Sequence, residues 1–143
     1  MGRYDVVEWR YVSHGARAVP EPWAAPLIWT AAYAGSFALV HVLDLLGVLD
    51  SSGLALAALS LFAALLGVRG SFVAAPGTAL LCWGFLNFFG AYPTGRLSWA
   101  VDRDVQWIAC LLGAALVGTA TARVLQARAA YRRITPYTPE PYV

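Results

Sequence analysis

The sequence predicts an all-α integral membrane protein, folded as an up-down bundle of four transmembrane helices. Apolar residues make up 59% of the 143 residues and charged residues only 13%, about half the share of roughly 25% found in soluble domains. Four long runs rich in Ala and Leu follow one another, and none shows the polar-apolar alternation of a strand. Since lipid offers no hydrogen bonds to the backbone, runs of this length are expected to be helices.

Four apolar segments define the predicted spans, at residues 27–48, 54–68, 72–90 and 105–125. A helix needs about 20 residues, within a range of about 17–25, to cross the hydrocarbon core. The first, third and fourth segments meet this length. The second is short, and it would cross only by thinning the bilayer or by including residues 51–53. The connections at 49–53 and 69–71 are so short that consecutive helices are expected to run antiparallel.

The arginines are distributed unevenly about the four spans. All ten basic residues are arginine; eight lie on the side that holds both termini, and two, Arg96 and Arg103, lie on the other. The positive-inside bias therefore predicts a multi-pass protein of the cell (plasma) membrane with both termini in the cytoplasm. We divide the chain into a cytoplasmic N-terminal segment, a four-helix transmembrane domain and a basic, proline-rich cytoplasmic tail, at residues 1–25, 26–126 and 127–143.

Three polar residues lie within or near the ends of the predicted spans. His41 and Asp44 share a helix face and form a candidate intramembrane polar pair, although Asp44 lies within about 8 Å of the outer end and is also placed to reach headgroup water. Asn87, near the outer end of the third span, is expected to fill a structural role by bonding to Thr119 or to a backbone group. Haem ligation is disfavoured, because His14, the other histidine, is predicted to lie across the bilayer from His41.

Small residues recur in the second and fourth segments and predict close helix packing, either within one chain or between chains. Ala114 and Gly118 give a small-xxx-small pattern, and the others are Ala55, Ala57, Ala58, Ala63, Ala64, Gly113, Ala115 and Ala122.

A basic run follows the fourth span. Such a run attracts anionic lipid headgroups by roughly 1 kcal/mol per residue, and it also helps to fix the topology. We treat its members as candidate sensing or lipid-contact residues: Arg123, Arg128, Arg132 and Arg133.

The order of features from Ala57 to about Arg133 points to a known membrane domain. An Ala/Leu run closes with Gly67-Val68-Arg69-Gly70, and Leu86-Asn87-Phe88-Phe89 then precedes a turn at Tyr92-Pro93. Asp102 and Asp104 come just before the fourth span, and arginines follow it. In this order the chain resembles the four-helix transmembrane domain of KdpD-type sensor histidine kinases. The resemblance implies a membrane anchor that takes part in potassium or ionic-strength signalling, with the basic run as its sensing element.

No catalytic residues, metal site or cofactor are expected. The sequence has no Gly-rich phosphate loop, no credible Ser-His-Asp arrangement and only two isolated cysteines, Cys82 and Cys110. No phosphoacceptor or ATP-binding region follows the fourth span, so kinase activity is not expected, and a net charge of +2 is too small to indicate nucleic-acid binding.

We therefore expect a stand-alone sensor-like or regulatory membrane module that is not an enzyme. The alternatives are a structural or accessory subunit of a larger membrane complex, and a small channel, transporter or holin-like pore former with a helix break at Pro76-Gly77. The expected partners are the lipid bilayer and either a protein partner or a second copy of the chain.

Overall fold

The computed structural model describes residues 21–91 and 95–133. Within these ranges the chain forms four helices and no strand, which confirms the predicted all-α class. The helices are α1 (Ala25–Leu45), α2 (Ser52–Arg69), α3 (Ala75–Gly90) and α4 (Val101–Arg133). By length and composition α1, α2 and the Val101–Ala130 part of α4 are able to cross a membrane, which indicates a membrane protein.

Helix α1 ends before the predicted boundary at Val48, because Gly47 adopts a left-handed conformation with φ of 65°. The Gly47 N–H donates to the Asp44 carbonyl, and the Val48 N–H donates to the Leu43 carbonyl, both at 2.9 Å. These two bonds form a Schellman motif, in which glycine is the preferred residue. The helix therefore ends inside an apolar run because of the backbone conformation of one glycine. As a result Asp44 lies in the last turn of α1.

The lengths of α2 and α3 differ from those predicted. Ser52 and Gly53 join the start of α2 and Arg69 joins its end, so that the helix has 18 residues. The prediction that the third segment is long enough to span is wrong for its helix, because residues 72–74 form a turn and α3 has 16 residues. Pro76 lies in the first turn of α3, where its missing N–H removes no helical hydrogen bond. The predicted break at Pro76-Gly77 is therefore the beginning of a helix.

Helices α2 and α4 run parallel and pack in register. Their buried residues recur every four positions, and the Thr119 hydroxyl donates to the Gly67 carbonyl at 3.0 Å. Helices α1 and α3 are parallel in the same way, with Ser36 Oγ lying 3.3 Å from Cys82 Sγ. Within the described residues the backbones of α1 and α4 do not come within 8 Å of each other, so α2 and α3 lie between them. The facing stripes of α2 and α4 are Ala55, Leu59, Ala63 and Gly67 against Trp107, Leu111, Ala115 and Thr119.

Two glycines bring the backbones of α2 and α4 into direct contact. A Cβ atom at Gly118 would overlap with the Ala64 carbonyl oxygen, and one at Gly67 would overlap with the Ala115 carbonyl oxygen. The predicted small-residue packing is therefore present within a single chain. Gly113 differs, because no neighbouring atom lies within 4 Å of its Cβ position.

Helix α4 extends the fourth predicted span at both ends. Its 33 residues give a length of about 50 Å at 1.5 Å per residue, against about 30 Å for a hydrocarbon core. The register that joins Thr119 to Gly67 places the end of α2, at Arg69, level with residue 121 of α4. The remaining turns of α4, to Arg133, extend about 18 Å past α2.

Candidate functional site

A buried polar cluster joins the end of α3 to the beginning of α4. Its centre is Asn87, whose side chain is fully buried. The Asn87 amide group donates to the Ser98 carbonyl at 2.8 Å, and its oxygen accepts from the Ser98 N–H at 2.9 Å. Both backbone groups of Ser98 are thus bonded to one side chain, which fixes the loop before α4 against α3.

The carboxylate of Asp104 lies next to Asn87 and is also fully buried. Its Oδ1 accepts from the Asn87 amide at 3.0 Å and from the Trp83 indole N–H at 3.2 Å. Its Oδ2 accepts from the Ala100 N–H at 2.6 Å, while the Asp104 N–H donates back to the Ala100 carbonyl at 2.8 Å. This reciprocal pairing resembles a capping box, and a negative charge in the first turn also interacts favourably with the helix dipole.

Arg103 closes the cluster on its solvent-facing side. Its guanidinium forms an ion pair with Asp104, with 3.2 Å between Nε and Oδ1, while its side chain remains 31% exposed. The Nη2 group donates to the Ser98 carbonyl and hydroxyl oxygens, both at 3.2 Å. The guanidinium carbon lies 4.9 Å from the ring centroid of Trp107, within the range of a cation–π interaction.

We call the side chains of Trp83, Asn87, Ser98, Arg103 and Asp104 the α3–α4 clamp. Both carboxylate oxygens of Asp104 accept hydrogen bonds from within the clamp. A carboxylate so fully engaged is suited to fixing two helices in one geometry. In the described ranges, the clamp included, no group of three or more His, Cys, Asp or Glu residues is arranged to hold a metal ion.

Thr119, one of the two partners predicted for Asn87, does not bond to it. Thr119 donates instead to Gly67 and to Ala115 in its own helix, each at 3.0 Å. Of the two predicted kinds of partner, the structure shows the backbone group, and it adds the carboxylate of Asp104, which was not predicted. The structural role of Asn87 stays a prediction. Thr119 lies four helical turns further along α4 than Asp104, which is too far for Asn87 to reach.

His41 and Asp44 both lie exposed on α1. The His41 ring is hydrogen-bonded through Nδ1 to the Phe37 carbonyl at 2.9 Å and lies edge-on to Phe89, with 5.8 Å between ring centroids. Among the described side chains no hydrogen bond or ion pair joins His41 to Asp44. The two residues are near neighbours on one helix, and a functional role for them stays a prediction.

The basic run lies on the part of α4 that extends past α2. Arg123 and Arg128 are exposed on this helix. Arg132 and Arg133 belong to its last turn, and their side chains lie outside the described part of the structure. The N-terminal segment up to residue 20 and the tail from residue 134 also lie outside it, as does the Tyr92-Pro93 turn.

A second feature, which we call the basic cleft, lies at this end of the molecule. It has a volume of about 380 Å³, and Arg69 from α2 and Arg123 from α4 contribute to its walls. The Trp23 N–H donates to the Arg69 carbonyl at 3.0 Å, and the Arg69 guanidinium carbon lies 5.6 Å from the Trp23 ring centroid. Glu21 and Gln126 complete the polar lining.

Comparisons with protein-family models, with curated proteins and with solved structures found no match for this chain. The resemblance to the KdpD-type membrane domain therefore stays a prediction.

Four clamp residues were not predicted as site residues from the sequence, namely Trp83, Ser98, Arg103 and Asp104. A signal for Asp104 is present in the sequence, because residues 104, 107 and 111 recur at helical spacing and place Asp104 on the buried face of α4. Asp102 is out of phase with that face and is exposed. No comparable signal identifies Trp83, whose partner depends on how α3 meets α4.

Proposed function

We propose that the protein is a four-pass membrane protein of the plasma membrane with both termini in the cytoplasm, and that it acts as a sensor-like or regulatory module without catalysis. In this proposal α4 carries a change of state between the clamp at the outer end and the arginines at the cytoplasmic end. The observation that supports it is the continuity of α4, which runs without interruption from Asp104 through Arg123 to Arg133.

The distribution of polar and apolar side chains supports the membrane part of the proposal. Large apolar residues cover the outside of the helices, including Leu61 and Val117, each 65% exposed. Polar side chains lie inside the molecule, namely Ser36, Thr78, Asn87, Asp104 and Thr119. Water would penalise so much exposed apolar surface, whereas lipid accepts it and favours internal hydrogen bonds between helices.

A four-pass arrangement has to accommodate the short α3. Its 16 residues give about 24 Å, less than the hydrocarbon thickness of about 30 Å, so the proposal requires local thinning of the bilayer or a contribution from the turn at residues 72–74. The clamp lies at this outer edge and supplies internal partners for the backbone of Ser98, which meets the need for satisfied polar groups near lipid.

The transmission proposal is tested by a distance measurement between α2 and the extended part of α4. Nitroxide labels at Leu65→Cys and Arg128→Cys, in a Cys110→Ser background, report this distance by double electron–electron resonance. The variant Asp104→Asn should shift or broaden the distance distribution, and Asp102→Asn should leave it unchanged. Identical distributions in the two variants would contradict transmission through α4.

A structural or accessory subunit of a larger complex is the second candidate function. The supporting observation is an apolar groove of about 360 Å³ between α1 and α3, lined by Tyr33, Phe37, Phe85 and Phe89 among others. Site-specific photocrosslinking at Phe37, compared with Leu61 on the α2 surface, tests it. Crosslinks to one defined protein from Phe37 alone would favour this role, and equal crosslinking at both positions would contradict it.

A further inference from the structure

The basic cleft brings together two arginines from helices that are remote in sequence. Arg69 ends α2, and Arg123 lies on α4 about half a turn beyond the level of that end. The α2–α4 backbone contacts at Gly67 and Gly118 lie within two turns of the cleft. Because these contacts hold the two helices at a fixed separation, the fold brings the backbones of the two arginines to the walls of one cleft.

The charges around the cleft favour an anion. Arg69 and Arg123 supply two positive charges and Glu21 one negative charge, which leaves a net positive lining. The salt bridge found among the described residues joins Arg103 to Asp104, and neither cleft arginine takes part in it. Guanidinium groups bind phosphate oxygens through paired, charge-assisted hydrogen bonds, and the Gln126 amide is a further donor.

We propose that the basic cleft is a binding site for a phosphate group, supplied by the headgroup of an anionic phospholipid. The exposed Val68 in its wall, and Leu65 one turn earlier, offer apolar surface along α2 for the acyl chain of such a lipid. Trp23 provides the amphipathic ring that is typical of the membrane interface. The inference rests on the proposed topology, which places this end at the cytoplasmic leaflet, where anionic lipids are abundant.

A binding site at the cleft is a more specific hypothesis than a general attraction of the basic run to a charged membrane surface. It requires Arg69, which lies outside the run, and it gives Arg123 a role that Arg128, further along α4, does not share. Arg96 is exposed in the loop before α4, at the opposite end of the molecule, and removing its charge makes a matched control.

Native mass spectrometry of the detergent-solubilised full chain measures the proposed binding. The protein is mixed with equal amounts of phosphatidylglycerol and phosphatidylcholine that carry the same acyl chains. The wild type should retain phosphatidylglycerol in preference. Arg69→Gln and Arg123→Gln should each lower that retention about tenfold or more, as expected for the loss of a charge-assisted hydrogen bond. Arg96→Gln should leave it unchanged, and Arg128→Gln should lower it less than twofold.

A second arm separates the two sources of phosphate. Inorganic phosphate in large excess should fail to displace phosphatidylglycerol if the site takes a lipid headgroup. Displacement that depends on Arg69 and Arg123 would overturn the lipid assignment and identify a site for free phosphate. Equal retention of phosphatidylglycerol by Arg69→Gln, Arg123→Gln and Arg96→Gln would overturn the site itself.

Circular dichroism of each variant verifies that it remains folded, and since both cleft arginines are exposed, their replacement should not unfold the chain. Membrane topology is measured separately by labelling of the α3–α4 loop. A wrong topology would change the labelling, whereas a wrong assignment of the cleft would change only the lipid retention of the variants.

Discussion

Replacing Asp104 by asparagine tests the clamp with a change of one atom. The carboxylate accepts five hydrogen bonds, three at Oδ1 and two at Oδ2. An asparagine keeps one oxygen and turns the other into a donor. If the amino group occupied the Oδ1 position it would face the Trp83 and Asn87 donors, so we expect it at the Oδ2 position, where it faces the Ala100 N–H that now donates at 2.6 Å.

The expected cost follows from what this orientation removes. The bond from Ala100 to a charged oxygen is lost, and such a bond contributes about 1.5–3 kcal/mol. The ion pair with Arg103 loses its charge as well, but we assign it little because Arg103 is 31% exposed. We therefore expect Asp104→Asn to lower the free energy of unfolding by about 1.5–3 kcal/mol, which shifts the folding equilibrium roughly tenfold to a hundredfold.

Asp102→Asn is the matched control for this experiment. It removes the same charge from the same first turn of α4, so it reproduces any change in the helix-dipole interaction. Asp102 is exposed, and its replacement should change stability by less than about 0.5 kcal/mol. Equilibrium unfolding in detergent micelles, followed by tryptophan fluorescence, measures both variants. Equal midpoints for Asp104→Asn and Asp102→Asn would refute the stabilising role of the Asp104 carboxylate.

Three further predictions concern packing and conformation. Gly118→Ala should destabilise the fold by about 1–3 kcal/mol, because its Cβ meets the α2 backbone, whereas Gly113→Ala, measured in the same unfolding assay, should not lower stability. Gly47→Ala should cost about 1 kcal/mol, because φ of 65° is strained for any residue with a side chain; an unchanged midpoint would show that α1 ends for another reason. A membrane-permeant maleimide should leave the buried Cys82 unlabelled in the folded chain and label it once the chain is unfolded; mass spectrometry locates the label, and labelling of Cys82 on folded protein would contradict this burial.

The helices were predictable from the sequence, but their ends were not. Hydropathy reports which segments avoid water, and it identified all four helices. The end of α1 depends on the backbone conformation of Gly47, and the start of α3 depends on the turn before Pro76. Both signals are local and lie inside apolar runs, where average hydropathy does not change.

The clamp was only partly predictable for a different reason. A buried amide such as Asn87 must find partners, so its structural role follows from chemistry alone. Its actual partner, the backbone of Ser98, depends on the path of the loop between α3 and α4, which the sequence pattern does not specify. That Asp104 rather than Asp102 is buried could have been predicted from the sequence, because Asp104 lies at helical spacing from the apolar residues Trp107 and Leu111.

The basic cleft shows the limit of segment-by-segment reasoning. The sequence pattern identifies Arg123 within the basic run, but it presents Arg69 only as a topology signal and as part of a motif. Their proximity results from the parallel register of α2 and α4, which depends on the close approach at Gly67 and Gly118. The small-residue pattern predicts close packing without specifying which helices meet.

The central claim, that the chain crosses a membrane with the clamp outside and the basic cleft inside, is tested most directly by site-specific labelling. Cysteines introduced one at a time at Arg96→Cys and Arg128→Cys, in a Cys110→Ser background that keeps the buried Cys82, are treated on intact cells with a membrane-impermeant maleimide. We expect residue 96 to be labelled on intact cells and residue 128 only after permeabilisation. Labelling of both residues on intact cells, protection of both until permeabilisation, or recovery of the protein in the soluble fraction would contradict this topology.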